Sequence, residues 1–470
     1  MARHHVVIGD GAVAAAFAAL APLDPGDALT VVGPGSGQLG RGLAYADHPP
    51  DAPWRDAYLL NSPAGTVDPA FPDWVAERWP EVAARKARHP RGTAFDADAI
   101  AVGDHAALFL PRAVFGDYLR DRTDAALAAH HARGVRVALR PAIVTDLARD
   151  GDRFRLTLSD GRQMQADNVD VATGGPATAR FGADTGPTAF EQPYGNEAAI
   201  AAALRPHSLR PDAVVLCLGA NAAMLDVLRL LQCLLPEFLI RMAVLSPSGL
   251  LPEPLIWTRP RGAPVTPGLR GPYPDAEGFL AAVDADLAAH RAKGARMAEL
   301  RRGYRTYLDH VGLATLIPDI DQRRRVIGPL DRRFRRGTAD SLADFDRLHH
   351  AGQIRIIRAK VDYVVAGADR TTRVRVTSPD GSSDLSAPIV INCAGPDPQA
   401  HELMTAGLIS RGWIEKVGQG LRVGARLETR IPGLRYLSPA VTEIGDEVIA
   451  LPLYDVDRLT TYVRRASRAI

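Results

Sequence analysis

The chain opens with Val6-Val7-Ile8-Gly9-Asp10-Gly11-Ala12-Val13-Ala14 and continues into the alanine-rich run Ala15 to Leu20. Three apolar residues, all β-branched, read as a short buried strand. The glycines make a turn, and the alanines favour a helix. Strand, glycine turn and helix in this order build the first half of a dinucleotide-binding βαβ unit. Gly9 permits the tight turn, Gly11 lets backbone approach a pyrophosphate, and Ala14 is small enough for the helix to pack on the strand. The helix N-terminus offers unpaired N–H groups and the positive end of its dipole to an anion. The competing reading is an ordinary glycine turn in an α/β domain.

The next strand is Leu29-Thr30-Val31-Val32. A dinucleotide-binding unit places an acidic residue at the end of this strand for the ribose hydroxyls. Gly33 stands there instead, followed by Pro34-Gly35-Ser36-Gly37. The loop runs on into Gly40-Arg41-Gly42-Leu43-Ala44-Tyr45, where backbone and one cation could approach a phosphate or a ring. A surface turn is the alternative for that segment.

A chain of 470 residues exceeds one core and predicts two or three domains. Its composition is that of a soluble globular protein, and a formal net charge of +2 carries no nucleic-acid footprint. The apolar stretch Val214 to Ile240 is broken by Asn221, Asp226, Arg229 and Glu237, so no membrane span is expected. The chain starts almost directly on its first strand, which predicts a cytoplasmic protein without a secretory leader. Cys217, Cys233 and Cys393 show no C-x-x-C spacing. They read as buried structural thiols, not as a redox pair or zinc ligands. The adjacent pairs His4-His5 and His349-His350 lack helical metal-site spacing and read as surface histidines. Asp319 and Asp321 follow a proline and read as turn residues. No G-x-S-x-G elbow is present. A homo-oligomer is neither required nor opposed by any of this.

Two segments repeat a pattern. Phe154 to Leu158 alternates, turns at Asp160-Gly161, and leads through Val169 to Ala172 into Thr173-Gly174-Gly175-Pro176. Thr372 to Val376 alternates, turns at Asp380-Gly381, and leads through Ile389 to Cys393 into Ala394-Gly395-Pro396. Alternation about Asp-Gly predicts a hairpin in each. The pair suggests a chain that crosses one domain, leaves it and returns. Between them, Val214 to Leu218 runs into Gly219-Ala220-Asn221 and an apolar helix, the layout of a second fingerprint. Asn221 replaces its middle glycine and should obstruct a pyrophosphate. The following strand ends in Ser246-Pro247-Ser248-Gly249, with no arginine for a 2′-phosphate before Arg259. The expected architecture is α/β with two Rossmann-like dinucleotide-binding domains, the second inserted into the first. The first part is 1–176, the inserted domain with an arginine-rich helical segment is 177–345, and the return is 346–470. Arginine runs such as Arg323-Arg324-Arg325 read as a solvated or interdomain helical surface, with an acidic ligand as the alternative.

The chain resembles the flavoproteins built from two dinucleotide-binding domains. More narrowly, it resembles the bacterial FAD-NAD(P)-binding group related to flavin-dependent N-hydroxylating monooxygenases. The resemblance is carried by Gly9 to Ala14, Gly40 to Tyr45, Tyr58-Leu59-Leu60-Asn61-Ser62-Pro63-Ala64 with Phe71-Pro72-Asp73-Trp74, Leu110-Pro111-Arg112 with Phe115 to Leu119, and the two Gly-Pro repeats. It implies FAD extended across the first domain, its pyrophosphate at Gly9, Gly11 and Ala14. Gly40, Arg41, Gly42, Leu60 and Asn61 would approach the isoalloxazine. Arg112 and Tyr118 would lie on a helix beside the flavin. Thr173, Gly174, Gly395 and Pro396 would contact cofactor from the strand-ending turns, and Gly219 from the second fingerprint. Asn61 and Arg112 would be the catalytic residues, although Asn61 also fits a turn that binds its own backbone. Gly445-Asp446 is reminiscent of the pair that binds the ribityl chain.

The resemblance implies an FAD-dependent oxidoreductase. NADPH or NADH would reduce the flavin, and one atom of O2 would pass to a small amine or amino-acid-like substrate, a reaction suited to secondary metabolism. Two alternatives use the same fold. One is an FAD oxidase or dehydrogenase reduced directly by its substrate, which the altered second fingerprint favours. The other is a non-catalytic flavin-binding partner protein. No metal is expected.

Overall fold

The computed structural model describes residues 2–90, 96–182, 184–207, 214–255, 262–367, 370–397 and 399–468. Two parallel five-stranded sheets organise the chain. The first runs Arg136–Arg140, Ala28–Val32, His4–Ile8, Asn168–Val171, Leu434–Tyr436, with every neighbouring pair parallel. Val6, Val7, Leu29, Val31, Val169 and Val171 are buried within it. Strands covered on both faces need such continuous apolar runs. From His4–Ile8 the chain goes first to Ala28–Val32 on one side and later to Asn168–Val171 on the other. The order therefore reverses there, and ligands of open α/β sheets bind in the crevice at such a reversal.

The second sheet repeats the plan as Ile354–Ile357, Met242–Leu245, Val215–Leu218, Ile389–Asn392, Ala189–Phe190. In each sheet the link from the outermost strand back across the reversal is a three-stranded antiparallel unit. It spans Val144–Asp150, Arg153–Leu158 and Gln163–Ala166 in one sheet, and Lys360–Ala366, Thr372–Ser378 and Gly381–Ala387 in the other.

The hairpins expected from sequence are thus present, but their meaning changes. They are corresponding parts of two domains, not two crossings of one. Ile354–Ile357 and Ile389–Asn392 belong to the second sheet, so the expected return over 346–470 begins too early. The chain leaves and re-enters the first domain on two segments that run together. Ala177 N–H donates to Ala400 O at 3.0 Å, and Asp397 N–H to Ala177 O at 2.8 Å. After this second crossing, Leu434–Tyr436 rejoins the first sheet.

A helical excursion separates Met242–Leu245 from the helix Ala339–His350 that precedes Ile354–Ile357. Its helices Ala276–Ala292, Met297–Val311 and Ile320–Arg333 form their own core around Phe279, Leu300, Tyr304 and Val326. That core also takes in Leu59 and Phe109 of the first domain. Several of its arginines bind carboxylates: Arg333 pairs with Asp284 at 2.5 Å, and Arg324 with Glu443 at 2.6 Å. Asp319 caps a helix by accepting from Gln322 N–H at 2.9 Å.

Three smaller expectations are corrected. His5 is buried and bonds the Asp170 carboxylate at 2.7 Å, while His4 is half-buried beside Thr30, so this pair is not a surface feature. Gly445-Asp446 is the tip of the hairpin between Val441–Ile444 and Glu447–Val448, with Asp446 held by Arg422 at 3.0 Å. Cys217 and Cys393 are buried, but Cys233 only half so. Arg259 lies outside the described residues. No helix among the described residues is long and apolar enough to cross a membrane.

Candidate functional site

The glycine turn after His4–Ile8 lies at the reversal of the first sheet. Gly9 has φ +125°, and a Cβ there would stand 2.2 Å from Ala172 O. The approach of two parallel strands therefore demands glycine at 9, with or without a ligand. Gly11 differs. Its φ of −85° suits any residue, and a Cβ there would meet nothing nearer than Gly42 Cα at 3.9 Å. A side chain at 11 would fill open space, not displace protein. The helix Ala12–Ala19 starts at Gly11 with no side-chain cap. A helix start leaves its first N–H groups without intrahelical acceptors, here beside that space, which is what a pyrophosphate requires. Ala14, fully buried, lies 3.4 Å from the Cβ position of Gly9 and closes helix onto strand.

The loop Gly40–Gly42 roofs this turn. Gly42 has φ +52°, and a Cβ on it would press to 2.9 Å from Gly11 Cα. Arg41 does not reach into the crevice. Its buried guanidinium donates to Ala113 O at 3.3 Å and pairs with Asp117, pinning the loop to the helix Arg112–Ala132. Its guanidinium is taken up by this structural pairing.

The missing acid at Gly33 has a steric cause. A Cβ there would lie 2.9 Å from both Asp10 Cβ and Gly9 C. Asp10 brings its own carboxylate to that strand end and accepts from Gly35 N–H at 2.6 Å. An acid is thus present beside the end of Ala28–Val32, supplied from the glycine turn. The fingerprint expects that acid at position 33, whereas Asp10 is the one acid within the turn itself. On the opposite side of the reversal, Gly174 is exposed with φ +94°, and Thr173 donates to Glu402 at 2.9 Å.

The second turn is built alike but closed. Gly219 has φ +113°, and its Cβ position is 2.6 Å from Cys393 O. Asn221 then caps the helix Ala222–Leu234, accepting from Ala223 N–H at 3.0 Å. The amide occupies a donor that is left open in the first domain. Asn221 Nδ2 also lies 3.3 Å from the Cβ position of Gly395. Gly395 and Pro396 therefore border the second turn.

Arg112 and Asn61 meet the inserted domain. The segment Tyr58–Leu60 runs beside Leu110–Arg112: Leu60 N–H donates to Leu110 O at 2.9 Å and Arg112 N–H to Tyr58 O at 2.8 Å. Arg112 then donates through Nε to Leu59 O at 3.0 Å and pairs through Nη2 with Asp226 at 2.7 Å. Tyr194 donates to the same Asp226 oxygen at 2.6 Å. Burial opposes the Arg112 charge, but Asp226 and Tyr194 outweigh it and hold its pKa above the ordinary arginine value. Asn61 lines a small gap against Ala222, Leu225 and Asp226 of that helix. Both residues expected to be catalytic thus sit at the seam between domains. Tyr45, where the roofing loop ends, is pushed up to about 12 by burial, offset in part by Arg112 and reinforced by Asp455 and Asp457. It stays a neutral phenol at neutral pH.

Residues 6–176 match a family model described as FAD-NAD(P)-binding. Among solved structures, the Erwinia amylovora cadaverine monooxygenase DfoA, bound to FAD, superposes with a TM-score of 0.55 at 12% identity. The match covers 100% of this chain and 95% of that one. The ornithine N-hydroxylase of Kutzneria sp. 744 gives 0.51 at 15% identity, covering 99% and 97%. The chain has the fold of the two-domain flavoproteins. The fold is shared more widely: the bacillithiol disulfide reductase of Staphylococcus aureus gives 0.50 at 12% identity, covering 100% and 98%. No curated protein sequence matches the chain.

Proposed function

We propose that the protein is an FAD-dependent oxidoreductase, an NAD(P)H-using monooxygenase that oxygenates a small amine or amino-acid-like substrate. The observation that carries this reading is the uncapped start of Ala12–Ala19, with open space beside Gly11 and the Gly40–Gly42 loop above it. That cradle fits the pyrophosphate of FAD, and Asp10 fits a ribose hydroxyl at the end of Ala28–Val32. Bound there, FAD would supply the hydride-accepting and oxygen-activating chemistry.

The chain's own residues do the rest. Arg112, Asp226 and Tyr194 tie the inserted domain to the first at the Tyr58–Asn61 segment, which keeps water from that seam. Tyr58 and Tyr194 pack edge to face with ring centroids 5.5 Å apart, sealing it further. An amine must be neutral to accept oxygen, and a dry seam disfavours its protonated form. Asn61 offers a neutral amide there, able to donate and accept without adding charge.

A second reading is favoured by one observation. Asn221 closes the helix terminus where the inserted domain would take a nicotinamide nucleotide. An oxidase or dehydrogenase reduced by its organic substrate needs no such site. Anaerobic visible spectroscopy separates the two. The purified protein should carry a flavin spectrum that bleaches on adding NADPH or NADH. Bleaching only by an organic substrate would replace the first reading with the second, and failure to bind FAD at all would end both.

A further inference from the structure

Both parallel sheets carry a glycine turn at their reversal, and backbone hydrogen bonds put the two turns in register. Gly9 N–H donates to Val32 O at 2.8 Å, and Gly33 N–H to Arg140 O at 3.1 Å. Gly219 N–H donates to Leu245 O at 2.9 Å, and Ser246 N–H to Ile357 O at 3.0 Å. Gly219-Ala220-Asn221 thus stands where Gly9-Asp10-Gly11 does, and Ser246 stands where Gly33 does. In the first domain Asp10 brings a carboxylate to the end of the second strand. In the inserted domain Ala220 and Ser246 hold the matching positions, and the loop from Ser246 to Pro252 contains no acid. A carboxylate at this place holds ribose hydroxyls, and its charge opposes a 2′-phosphate. The inserted domain lacks that feature twice over.

A cation stands there instead. The strand Ile354–Ile357, paired with Met242–Leu245, ends directly before Arg358. Arg358 Cγ and Cδ lie 4.0 Å from the Cβ position of Gly249, so its stem rests against the loop that follows Met242–Leu245. Arg358 is exposed and, among the described residues, makes neither an ion pair nor a side-chain hydrogen bond. Ser246 is buried and engaged in its own loop, accepting from Gly249 N–H at 3.1 Å. Ser248 is exposed; its oxygen accepts from Leu250 N–H at 3.2 Å, which leaves its own proton to donate. Leu250, 73% exposed, adds apolar surface to the same loop.

We propose that Arg358, assisted by Ser248, selects NADPH over NADH by binding the 2′-phosphate of its adenosine half. The proposal rests on the NAD(P)H-using reading and names the nucleotide. No arginine directly follows Met242–Leu245 in the sequence; the neighbouring strand supplies one. A planar guanidinium can place two N–H donors on one phosphate, the Ser248 hydroxyl can add a third, and Leu250 gives the adenine an apolar surface. Because Asn221 caps the helix start that would hold the pyrophosphate, the 2′-phosphate carries more of the binding here than at an open turn.

Calorimetric titration of the FAD-loaded protein with 2′,5′-ADP and with 5′-ADP isolates the 2′-phosphate without any turnover. 2′,5′-ADP should bind tighter by roughly tenfold or more. Arg358→Gln should abolish that preference and leave the affinity for 5′-ADP unchanged. Arg355→Gln removes another exposed, unpaired charge from the same strand and should keep the preference. Neither side chain has a partner among the described residues, so both variants should fold. Equal affinity for the two nucleotides, no binding of either, or a preference that Arg358→Gln retains or Arg355→Gln also loses overturns the proposal. Flavin bleached equally by NADPH and NADH, with no preference for 2′,5′-ADP, would discard the selection and keep the NAD(P)H-using reading. Selective binding of 2′,5′-ADP by a protein whose flavin NADPH never reduces would keep the site and discard that reading.

Discussion

Gly9 and Gly11 look equivalent in the sequence and play different parts in the structure. Gly9→Ala must adopt a left-handed φ and bring Cβ to 2.2 Å from Ala172 O, so several kcal/mol of stability should be lost, on the order of 3 or more. Gly11→Ala has an allowed φ and free space, so stability should move by no more than about 0.5 kcal/mol. The same methyl enters the cradle, and FAD affinity should fall at least tenfold. Fluorescence titration with FAD, set beside thermal unfolding, checks both halves; a Gly11→Ala protein that binds FAD normally would remove the pyrophosphate from this turn. His89 offers a test by pH. Burial, then the charges of Arg229 and Lys86, bring its pKa down from 6.5 to about 3. The folded state holds it neutral, whereas the unfolded chain protonates near 6.5. Its contribution is complete above that pH and is lost as pH falls toward 3. Between pH 7 and 5, before most carboxylates titrate, this amounts to about 2 kcal/mol. His4 and His401 are also lowered, first by burial, and add in the same direction. His89→Gln should flatten the stability profile over this window relative to wild type, measured by urea unfolding at each pH.

At the scale of elements, the start of the helix Ala222–Leu234 differs from that of Ala12–Ala19 in carrying a side-chain cap. Asn221→Ala removes a side-chain acceptor from Ala223 N–H and should cost about 1 kcal/mol. Asn221→Gly should cost only a few tenths of a kcal/mol, because water can reach the freed donor. It also opens the terminus, so the nucleotide concentration giving half-maximal anaerobic flavin reduction should fall severalfold. An unchanged value would place the nicotinamide nucleotide elsewhere. This closure was legible in the sequence, since Asn at a fingerprint glycine obstructs ligand by simple bulk. The repeated hairpins were only half legible. Alternation about Asp160-Gly161 and Asp380-Gly381 specifies antiparallel pairing locally. It says nothing about which parallel sheet receives the strand that follows. That choice is made by long-range register, with Ile391 opposite Cys217 in one sheet and Val171 opposite Ile8 in the other. For the same reason the sequence leaves open which sheet the turn at Gly395 and Pro396 belongs to. The roles of Arg41 and Arg112 were hidden too, because a glycine-flanked or helix-starting arginine looks the same whether it meets a phosphate or an aspartate.

Across the whole molecule, several ion pairs join the domains, Arg324–Glu443 and Arg301–Asp455 among them, and Arg112–Asp226 is one that also binds the Tyr58–Asn61 segment, through Leu59 O. Both side chains are nearly buried, and Tyr194 completes the coordination of the carboxylate. Desolvating such a pair consumes much of its attraction, so the intact pair adds little net stability, whereas a lone survivor is costly. Arg112→Met should therefore destabilise by about 3 to 5 kcal/mol, with Asp226→Leu similarly harmful. The double variant Arg112→Met with Asp226→Leu removes both charges and should recover most of that loss. Unfolding of the four proteins in urea completes the cycle. If the pair is also what keeps the seam dry, stability and chemistry should part in the double variant. It should fold well and bind FAD, yet release more hydrogen peroxide per NADPH consumed than wild type, because apolar replacements no longer draw the inserted domain onto Leu59. A double variant that is both stable and fully coupled would show that packing alone, through Tyr58, Tyr194 and the shared core at Leu59 and Phe109, closes the two domains.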